Sequence, residues 1–149
     1  MFELQVVSSR PMTDVDDLDV LAFELLRQIG YLSRAGTLED ARGEAAFRLF
    51  VDCFLRRGDR AWTADEMAVF LETSKPTVYR HLSRLKDMDL LEAVDAVDAE
   101  GRPRKGYRFR YGDLSKAWGL AEANVEMAMR NYRRNIDHLQ KLADHAGPR

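Results

Sequence analysis

Apolar residues recur at helical spacing in the first third of the chain. Over residues 14–33 they fall alternately four and three positions apart, which predicts a helix with one buried side. Aspartates near residue 14 suit its first turn, because carboxylates favour the positive end of the helix dipole. A second helix is predicted over residues 39–57, bounded by Gly36 and Gly58. The apolar positions are Leu18, Ala22, Leu25, Ile29 and Leu32 in the first helix and Ala45, Ala46, Leu49, Phe50, Cys53 and Phe54 in the second.

Two helices separated by a tight turn are predicted next. Thr63 and Glu66 can form a capping box, which predicts a helix over residues 64–71. Ser74 is a favourable N-cap and Pro76 fits a first helical turn, so a fourth helix is predicted over residues 75–88. Its inward positions are Val78, Leu82 and Leu85, and its outward positions are Lys75, Thr77, Tyr79, Arg80, Ser83 and Arg84.

Two stretches typical of β-strands follow this helix. Residues 90–94 and 107–111 are joined by residues 98–106, which predicts a β-hairpin with a long basic tip. The basic residues of the tip are Arg102, Arg104 and Lys105. Near the start of the chain, the alternation of Phe2, Leu4 and Val6 predicts at most one short strand before Pro11.

The last quarter of the chain has the pattern of one long helix. Asp113 can cap it, and apolar positions step alternately by four and three as far as residue 142, a heptad seam roughly 45 Å long. Two arrangements stay open, because the seam can pack on the first helix of its own chain or pair with a second subunit. The seam consists of Leu114, Trp118, Ala121, Val125, Ala128, Tyr132 and Leu139, with Asn135 or Ile136 and then Leu142 completing it.

Composition narrows the class of protein. The 149 residues are 46% hydrophobic, which is typical of a folded domain. The net charge of −2 indicates no particular partner, but residues 1–47 are acidic and residues 72–111 are slightly basic. With one cysteine, no long apolar run and no secretion signal, we expect a cytoplasmic protein. Cys53 lies on an apolar helix face, so we expect a buried thiol.

The order of helix, helix, tight turn, helix and hairpin resembles a winged helix-turn-helix. The residues that carry the likeness are similar to the pattern of the MarR, ArsR and TrmB-like transcriptional regulators. The Gly106-Tyr107-x-Phe109 step before the long helix most resembles the TrmB-like group, many of them archaeal. Two positions depart from the pattern, since Glu72 and Asp89 stand where glycine is usual. The matching residues are Glu66, Met67, Ala68, Leu71, Ser74, Thr77, Val78, Leu82, Leu85, Leu90, Leu91 and Glu92.

The resemblance implies a mainly α fold with a small β-hairpin wing, an N-terminal helix and a long C-terminal dimerisation helix. Its parts would be an N-terminal arm and helix (1–35), the winged helix-turn-helix (36–112) and the dimerisation helix (113–149). Two-fold dimers match DNA half-sites about one helical turn, ~34 Å, apart. We therefore expect a homodimeric transcriptional regulator, with repression as the expected direction of regulation.

The implied partner is double-stranded DNA, whose major groove admits an α-helix. The helix over residues 75–88 would read the groove, and the wing over residues 98–106 would contact the backbone or the minor groove. The expected DNA-binding residues are Ser74, Lys75, Thr77, Tyr79, Arg80, Ser83, Arg84, Arg102, Arg104 and Lys105.

Other functions leave weaker signals. His81, His138 and His145 are scattered, no phosphate loop or nucleophile motif occurs, and we therefore expect no enzyme, no metal and no cofactor. The main alternative is a winged helix that serves as a protein-interaction module within a transcription or chromosome complex. A third hypothesis places a small-molecule effector between the N-terminal and C-terminal helices, near Phe23, Tyr31 and Trp118.

Overall fold

The protein is mainly α-helical with one small antiparallel sheet, as the sequence predicts. The computed structural model describes residue 3 and residues 5–148. None of the helices it describes combines the length and apolar character needed to cross a membrane. The elements are α1 (Leu18–Gln28), α2 (Leu38–Arg42), α3 (Ala45–Arg48) with a π-helical continuation (Leu49–Leu55), β1 (Trp62–Thr63), α4 (Ala64–Phe70), α5 (Lys75–Asp87), β2 (Leu91–Val97), β3 (Pro103–Phe109), a 3-10 turn (Arg110–Gly112) and α6 (Leu114–Ala146).

Polar side chains start the helices that position the functional surface. Thr63 and Glu66 form the predicted capping box of α4. Ser74 caps α5 by accepting a hydrogen bond from the backbone N–H of Thr77, with proline in the first turn. Asp113 caps α6 in the same way. These caps are local interactions, and all three predicted starts are confirmed.

The first two predicted helices are wrong in extent. The first is confined to α1, and the second is divided into α2, α3 and the π-helical continuation. In that continuation the backbone N–H of Arg56 bonds the carbonyl of Val51, five residues back. The wider turn changes the helical period, so neighbouring residues face the core together, whereas a regular helix would bury one stripe. The buried residues there are Leu49, Phe50, Val51, Cys53 and Phe54.

The sheet differs from the predicted hairpin in two ways. β2 and β3 are longer than expected and are joined by only five residues, 98–102, so Arg104 and Lys105 lie on a strand and not in the loop. β1 adds a third strand that the sequence did not predict, in the order β1-β3-β2. A Cβ atom at Gly106 would lie 2.9 Å from Ala61 Cβ and 3.1 Å from Ala96 Cβ, so only glycine lets the chain pack this closely.

One core connects the N-terminal helix, the helix-turn-helix and the start of α6. Phe109 lies at its centre, with ring centroids 5.1 Å from Phe50 and 5.6 Å from Phe54. The hydroxyl of Tyr31 donates to the carbonyl of Ala46 within this core. Cys53 is fully buried, as predicted, and burial raises the pKa of its thiol to about 12.

The predicted N-terminal strand is absent from the described residues. Residue 3 and residues 5–13 have no regular structure, while Phe2 and Leu4 lie outside the described residues. The segment contacts the ends of two helices, since the N–H of Glu3 bonds Asp87 O and that of Gln5 bonds Ile29 O. It therefore runs along the rest of the protein without pairing to the sheet.

Only the first third of α6 packs on the domain. Ala117 and Ala121 are its two buried residues, and Asn124 donates to the Asp89 carboxylate at 2.6 Å. The last partly covered residue is Ala128, and every described residue from 129 to 148 is exposed. At 1.5 Å per residue, the 33 residues of α6 extend roughly 50 Å, well beyond the domain.

Candidate nucleic-acid interface

The turn between α4 and α5 is held by backbone geometry and by one arginine. Glu72 adopts φ 53°, and the N–H of Thr73 bonds the carbonyl of Ala68, which forms a Schellman ending for α4. Arg48 donates to the carbonyls of Phe70 and Leu71 at 3.4 and 3.5 Å. Sequence reasoning missed this role, because no local pattern shows which carbonyls an arginine will reach.

The start of α5 presents polar and aromatic groups to solvent. Its inward face is as predicted, with Val78, Leu82 and Leu85 fully buried. On the outside, Tyr79 is 49% exposed and Arg80 is exposed. Within the described part of the chain, Arg80 takes part in no ion pair or hydrogen bond. This side chain is therefore available to an external partner.

Four more of the predicted residues lie at the start of α5 or on its outer side. Lys75 is exposed and lies 3.0 Å from the carboxylate of Asp65. The hydroxyl of Ser74 donates to that of Thr77 at 3.0 Å, so both groups take part in the cap. Ser83 is exposed one turn beyond Tyr79. The outward set is thus brought together on one side of α5, with the exception described next.

The predicted outward position of Arg84 is wrong. Its guanidinium donates to the carbonyl of Gly30 at 2.9 Å and lies 5.2 Å from the centre of the Tyr31 ring. Arg84 is partly buried, so it joins α5 to the end of α1. Its spacing of four residues from Arg80 suggested a shared outer face, but the nearby carbonyl and ring draw Arg84 inward.

His81 is a packing residue of α5. It is 7% exposed, and its Nδ1 atom has no hydrogen-bond partner among the described residues. Burial, together with the positive charges of Arg80 and Arg84, lowers its pKa to about 4. The imidazole is therefore neutral at physiological pH, and this position adds no charge to the exposed face.

The cations of the wing are accompanied by carboxylates. Arg102 bonds Asp98 at 3.1 Å and also contacts Glu100, and Arg104 lies 3.5 Å from Asp98. Lys105 is 3.8 Å from Asp95, and both side chains are largely exposed. The carboxylate of Asp98 also accepts two backbone N–H groups of the turn, and these hydrogen bonds lower its pKa. The tip is therefore rigid and close to neutral, in contrast to the predicted basic tip.

The architecture consists of a short turn between α4 and α5, the outer side of α5 exposed to solvent, and an antiparallel hairpin that follows α5. The fold is a winged helix-turn-helix. Within it, α4 and α5 form the helix-turn-helix, while β2 and β3 form the wing, and β3 also pairs with β1. The resemblance noted in the sequence is thus confirmed at the level of the fold.

Comparison with solved structures finds winged-helix regulators among the similar chains. A possible transcriptional regulator from Methanosarcina mazei Go1 is 16% identical and has a TM-score of 0.43, over 69% of this chain and 88% of that chain. MepR, a transcription regulator of the Staphylococcus aureus multidrug efflux pump MepA, is 16% identical over 87% of this chain and 90% of its own, with a TM-score of 0.37. MepR in a complex with DNA is 21% identical over 70% and 80%, with a TM-score of 0.33. No family model and no curated protein matches the chain.

The three residues named for the effector hypothesis are separated in the structure, and the effector itself stays a prediction. Phe23 and Tyr31 are buried in the core. Trp118 instead lines an open groove of about 510 Å³ between the end of α1 and the start of α6, together with Leu25, Ile29, Phe50, Leu90, Leu114 and Ser115. Within the described residues, no group of three or more potential metal ligands occurs.

Proposed function

We propose that this chain is a transcriptional regulator that binds specific double-stranded DNA sequences as a homodimer and represses by occupying a promoter. The observation that carries the proposal is the exposed outer side of the first half of α5. Arg80 lies on this side and has no partner among the described residues. An α-helix fits the major groove, where each base pair presents a distinct pattern of donors and acceptors.

Each outward group of α5 suits one part of a DNA duplex. Arg80 would donate to the O6 and N7 atoms of guanine, and Tyr79 would contact a thymine methyl or a phosphate. Lys75 and the hydroxyls of Ser74 and Thr77 would contact phosphates near the start of the helix, where its dipole favours anions. The hydroxyl of Ser83 would contact the DNA backbone one turn beyond Tyr79. Arg84 is left out of the reading set, because its guanidinium is already bonded within the protein.

The wing would supply secondary contacts to the DNA backbone. Arg102, Arg104 and Lys105 would first have to exchange carboxylate partners for phosphates, and this exchange reduces the gain in free energy. We therefore assign specificity to α5 and only a modest share of the affinity to the wing.

The dimer is proposed to form through α6. The predicted seam residues fall into three sets, because Ala121 is buried in its own domain, Leu114, Trp118, Val125 and Ala128 are partly covered, and the rest are exposed. Tyr132 and Leu139 are 60% and 66% exposed. A helix with this much apolar surface beyond its domain is typical of an interface.

Fluorescence anisotropy tests the DNA-binding proposal directly. The purified protein would be titrated against a duplex from upstream of its own gene and against a scrambled duplex, over a salt series. We expect preferential binding of the first duplex, weakening with salt in proportion to the phosphates neutralised. Arg80→Glu should weaken it by at least about thirty-fold, the equivalent of about 2 kcal/mol. Arg10→Glu, an equal charge change at an exposed side chain of the N-terminal segment, is the matched control.

One observation favours a second candidate, a winged helix that binds another protein. The tip of the wing is close to neutral, which lowers its attraction for a polyanion. If both duplexes, and then a random pool of duplexes, bind weakly and equally with and without Arg80→Glu, the DNA-binding proposal fails. The interaction module is then the better interpretation.

A further inference from the structure

Two apolar surfaces of this chain lack a partner within the described residues. One is the groove of about 510 Å³ between the end of α1 and the start of α6, with Trp118 at its edge. The other is the second half of α6, where every described residue is exposed. Six large apolar side chains of α6 are more than half exposed, and they are Met127, Met129, Tyr132, Ile136, Leu139 and Leu142.

The second half of α6 stays amphipathic although it touches nothing in its own chain. At about 100° per residue, Tyr132, Ile136 and Leu139 continue the side of the helix on which Trp118 lies. The charged side chains of the same half lie outside this apolar side, between about 60° and 160° around the helix from Trp118. They are Arg130, Arg133, Arg134, Asp137, Lys141 and Asp144. A helix that only projected into water would have no physical need for this division.

We propose that the groove is an interaction surface for the second half of α6 from another copy of this chain, with the two α6 helices antiparallel. This pairing rests on the proposed homodimer. It specifies the relative direction of the two α6 helices, their register and the segment that occupies the groove. Pairing α6 about a two-fold axis near Arg130 places the partner's residues 139–143 beside Trp118. One symmetric contact then covers the groove and the exposed seam of both copies.

A parallel pair does not achieve this. In a parallel pair each residue faces its own equivalent, so the second halves of the two α6 helices meet each other and cannot reach either groove. In an antiparallel pair, the C-terminal end of each α6 lies against the domain of the other copy. The groove is therefore complete only in the dimer.

The length of α6 supports the same register. Each domain is attached to α6 around Gly119, between the buried Ala117 and Ala121. With the axis at Arg130, the two attachment points are about 33 Å apart along the helix at 1.5 Å per residue. For an α6 pair that lies along the DNA axis, this separation would match the ~34 Å between successive major grooves on one face of DNA. A parallel pair would give no axial separation.

Pulsed electron–electron resonance distances test the direction of the pair. Spin labels at His145→Cys should lie about 45 Å apart across the dimer, and labels at Asn131→Cys should lie within about 20 Å. Both substituted positions are exposed, and the buried Cys53 should take no label, which the unsubstituted protein checks. Short distances at both sites would mean a parallel pair and would overturn the proposal. Labels without coupling at either site, in a protein of monomeric mass, would also overturn it.

A photo-cross-linker tests the occupant of the groove. Benzoylphenylalanine in place of Trp118 should cross-link to residues 139–143 of the second copy, and the same group in place of Leu142 should cross-link to α1 or to the start of α6. Absence of intermolecular products from both variants would leave the groove to a small apolar ligand and would overturn the assignment. The anisotropy assay with Arg80→Glu stays independent, so DNA binding can hold while this pairing fails.

Discussion

Two non-glycine residues with left-handed backbone end the two helices of the helix-turn-helix. Glu72 follows α4 with φ 53° and Asp89 follows α5 with φ 62°. Each is followed by a hydrogen bond that reaches five residues back, from Thr73 to Ala68 and from Leu90 to Leu85. The family pattern has glycine at these two places, and the geometry explains why. A side chain at positive φ costs about 1 kcal/mol or more relative to glycine.

Replacing Glu72 by glycine should stabilise the protein. Glycine relieves the strain of the left-handed backbone but adds conformational entropy to the unfolded chain, so we expect a net gain of up to about 1 kcal/mol in the free energy of unfolding. Chemical denaturation measures it. Glu72→Ala removes the carboxylate but keeps Cβ, so it should give no gain.

Asp89→Gly provides the contrasting case at the equivalent position. The carboxylate of Asp89 accepts hydrogen bonds from Arg110 and Asn124, both at 2.6 Å. Glycine would remove both bonds, which join α5, the wing and α6. We expect this variant to gain nothing, and equal stabilisation by both glycines would contradict the explanation.

His81 makes the stability of the protein depend on pH. Its pKa is lowered from an ordinary value near 6.5 to about 4, so the folded protein binds the proton less readily than the unfolded chain. The contribution is fully present above pH 6.5 and is lost as the pH falls towards 4, by up to about 3 kcal/mol. Urea denaturation between pH 7 and pH 4 should show a smaller loss in His81→Gln than in the unsubstituted protein. His138→Gln on the exposed part of α6 is the control, and identical slopes for all three proteins would refute the role of His81.

At the scale of elements, the inward side of α5 is held by contacts within the protein, whereas its outer side faces solvent. Arg84 attaches it to the end of α1, while Arg48 holds the turn that precedes it. Gly106 lets β3 pack close to the segment before β1, which sets the wing beside the same domain. These contacts hold α5 in place and leave its outer side exposed.

Substitution of Arg84 should separate stability from DNA contact. Arg84→Ala removes a charge-assisted hydrogen bond to Gly30 and a contact with the Tyr31 ring, so we expect a loss of about 1–2 kcal/mol in the free energy of unfolding. Arg80→Ala should change stability by less than about 0.5 kcal/mol, because the side chain is exposed and unpaired. The anisotropy assay is run below the unfolding temperature of both variants. There the order of the two effects should reverse, and Arg80→Ala should lose more affinity for DNA than Arg84→Ala. A larger loss for Arg84→Ala would assign it to the DNA surface after all.

At the scale of the whole molecule, one helix is expected to control both assembly and DNA binding. The domain covers α6 only as far as Ala128, and the rest of its apolar side has no partner in the same chain. If α6 forms the dimer, two copies of α5 bind adjacent half-sites together. The second site then binds at a high effective concentration.

Charges placed in the seam should dissociate the dimer. The double variant Leu139→Asp with Leu142→Asp puts four carboxylates into the proposed interface, so we expect light scattering to give the 17.1 kDa mass of one chain. Affinity for a two-site duplex should fall by at least about a hundred-fold, while affinity for a single half-site stays the same. Lys141→Asp lies on the charged side of the same helix and should stay dimeric. A dimeric double variant would place the interface elsewhere.

Features that depend on neighbours along the chain could be predicted before the fold was known. The caps at Thr63, Ser74 and Asp113, the inward face of α5 and the length of α6 are local, because a helix start and a helical period are set within a few residues. These features were enough to predict the helix-turn-helix, the hairpin and the long helix in that order, and with them the winged helix-turn-helix.

Only the tertiary structure decided the features that depend on contacts distant in sequence. Arg84 turns inward because Gly30, 54 residues away, offers a carbonyl, and the wing loses its basic character because Asp98 lies within reach of Arg102 and Arg104. The π-helical continuation and the strand β1 also arise from packing against the core and from pairing with β3. A charge pattern along the chain shows which side chains exist, but the fold decides which of them stay free for a partner.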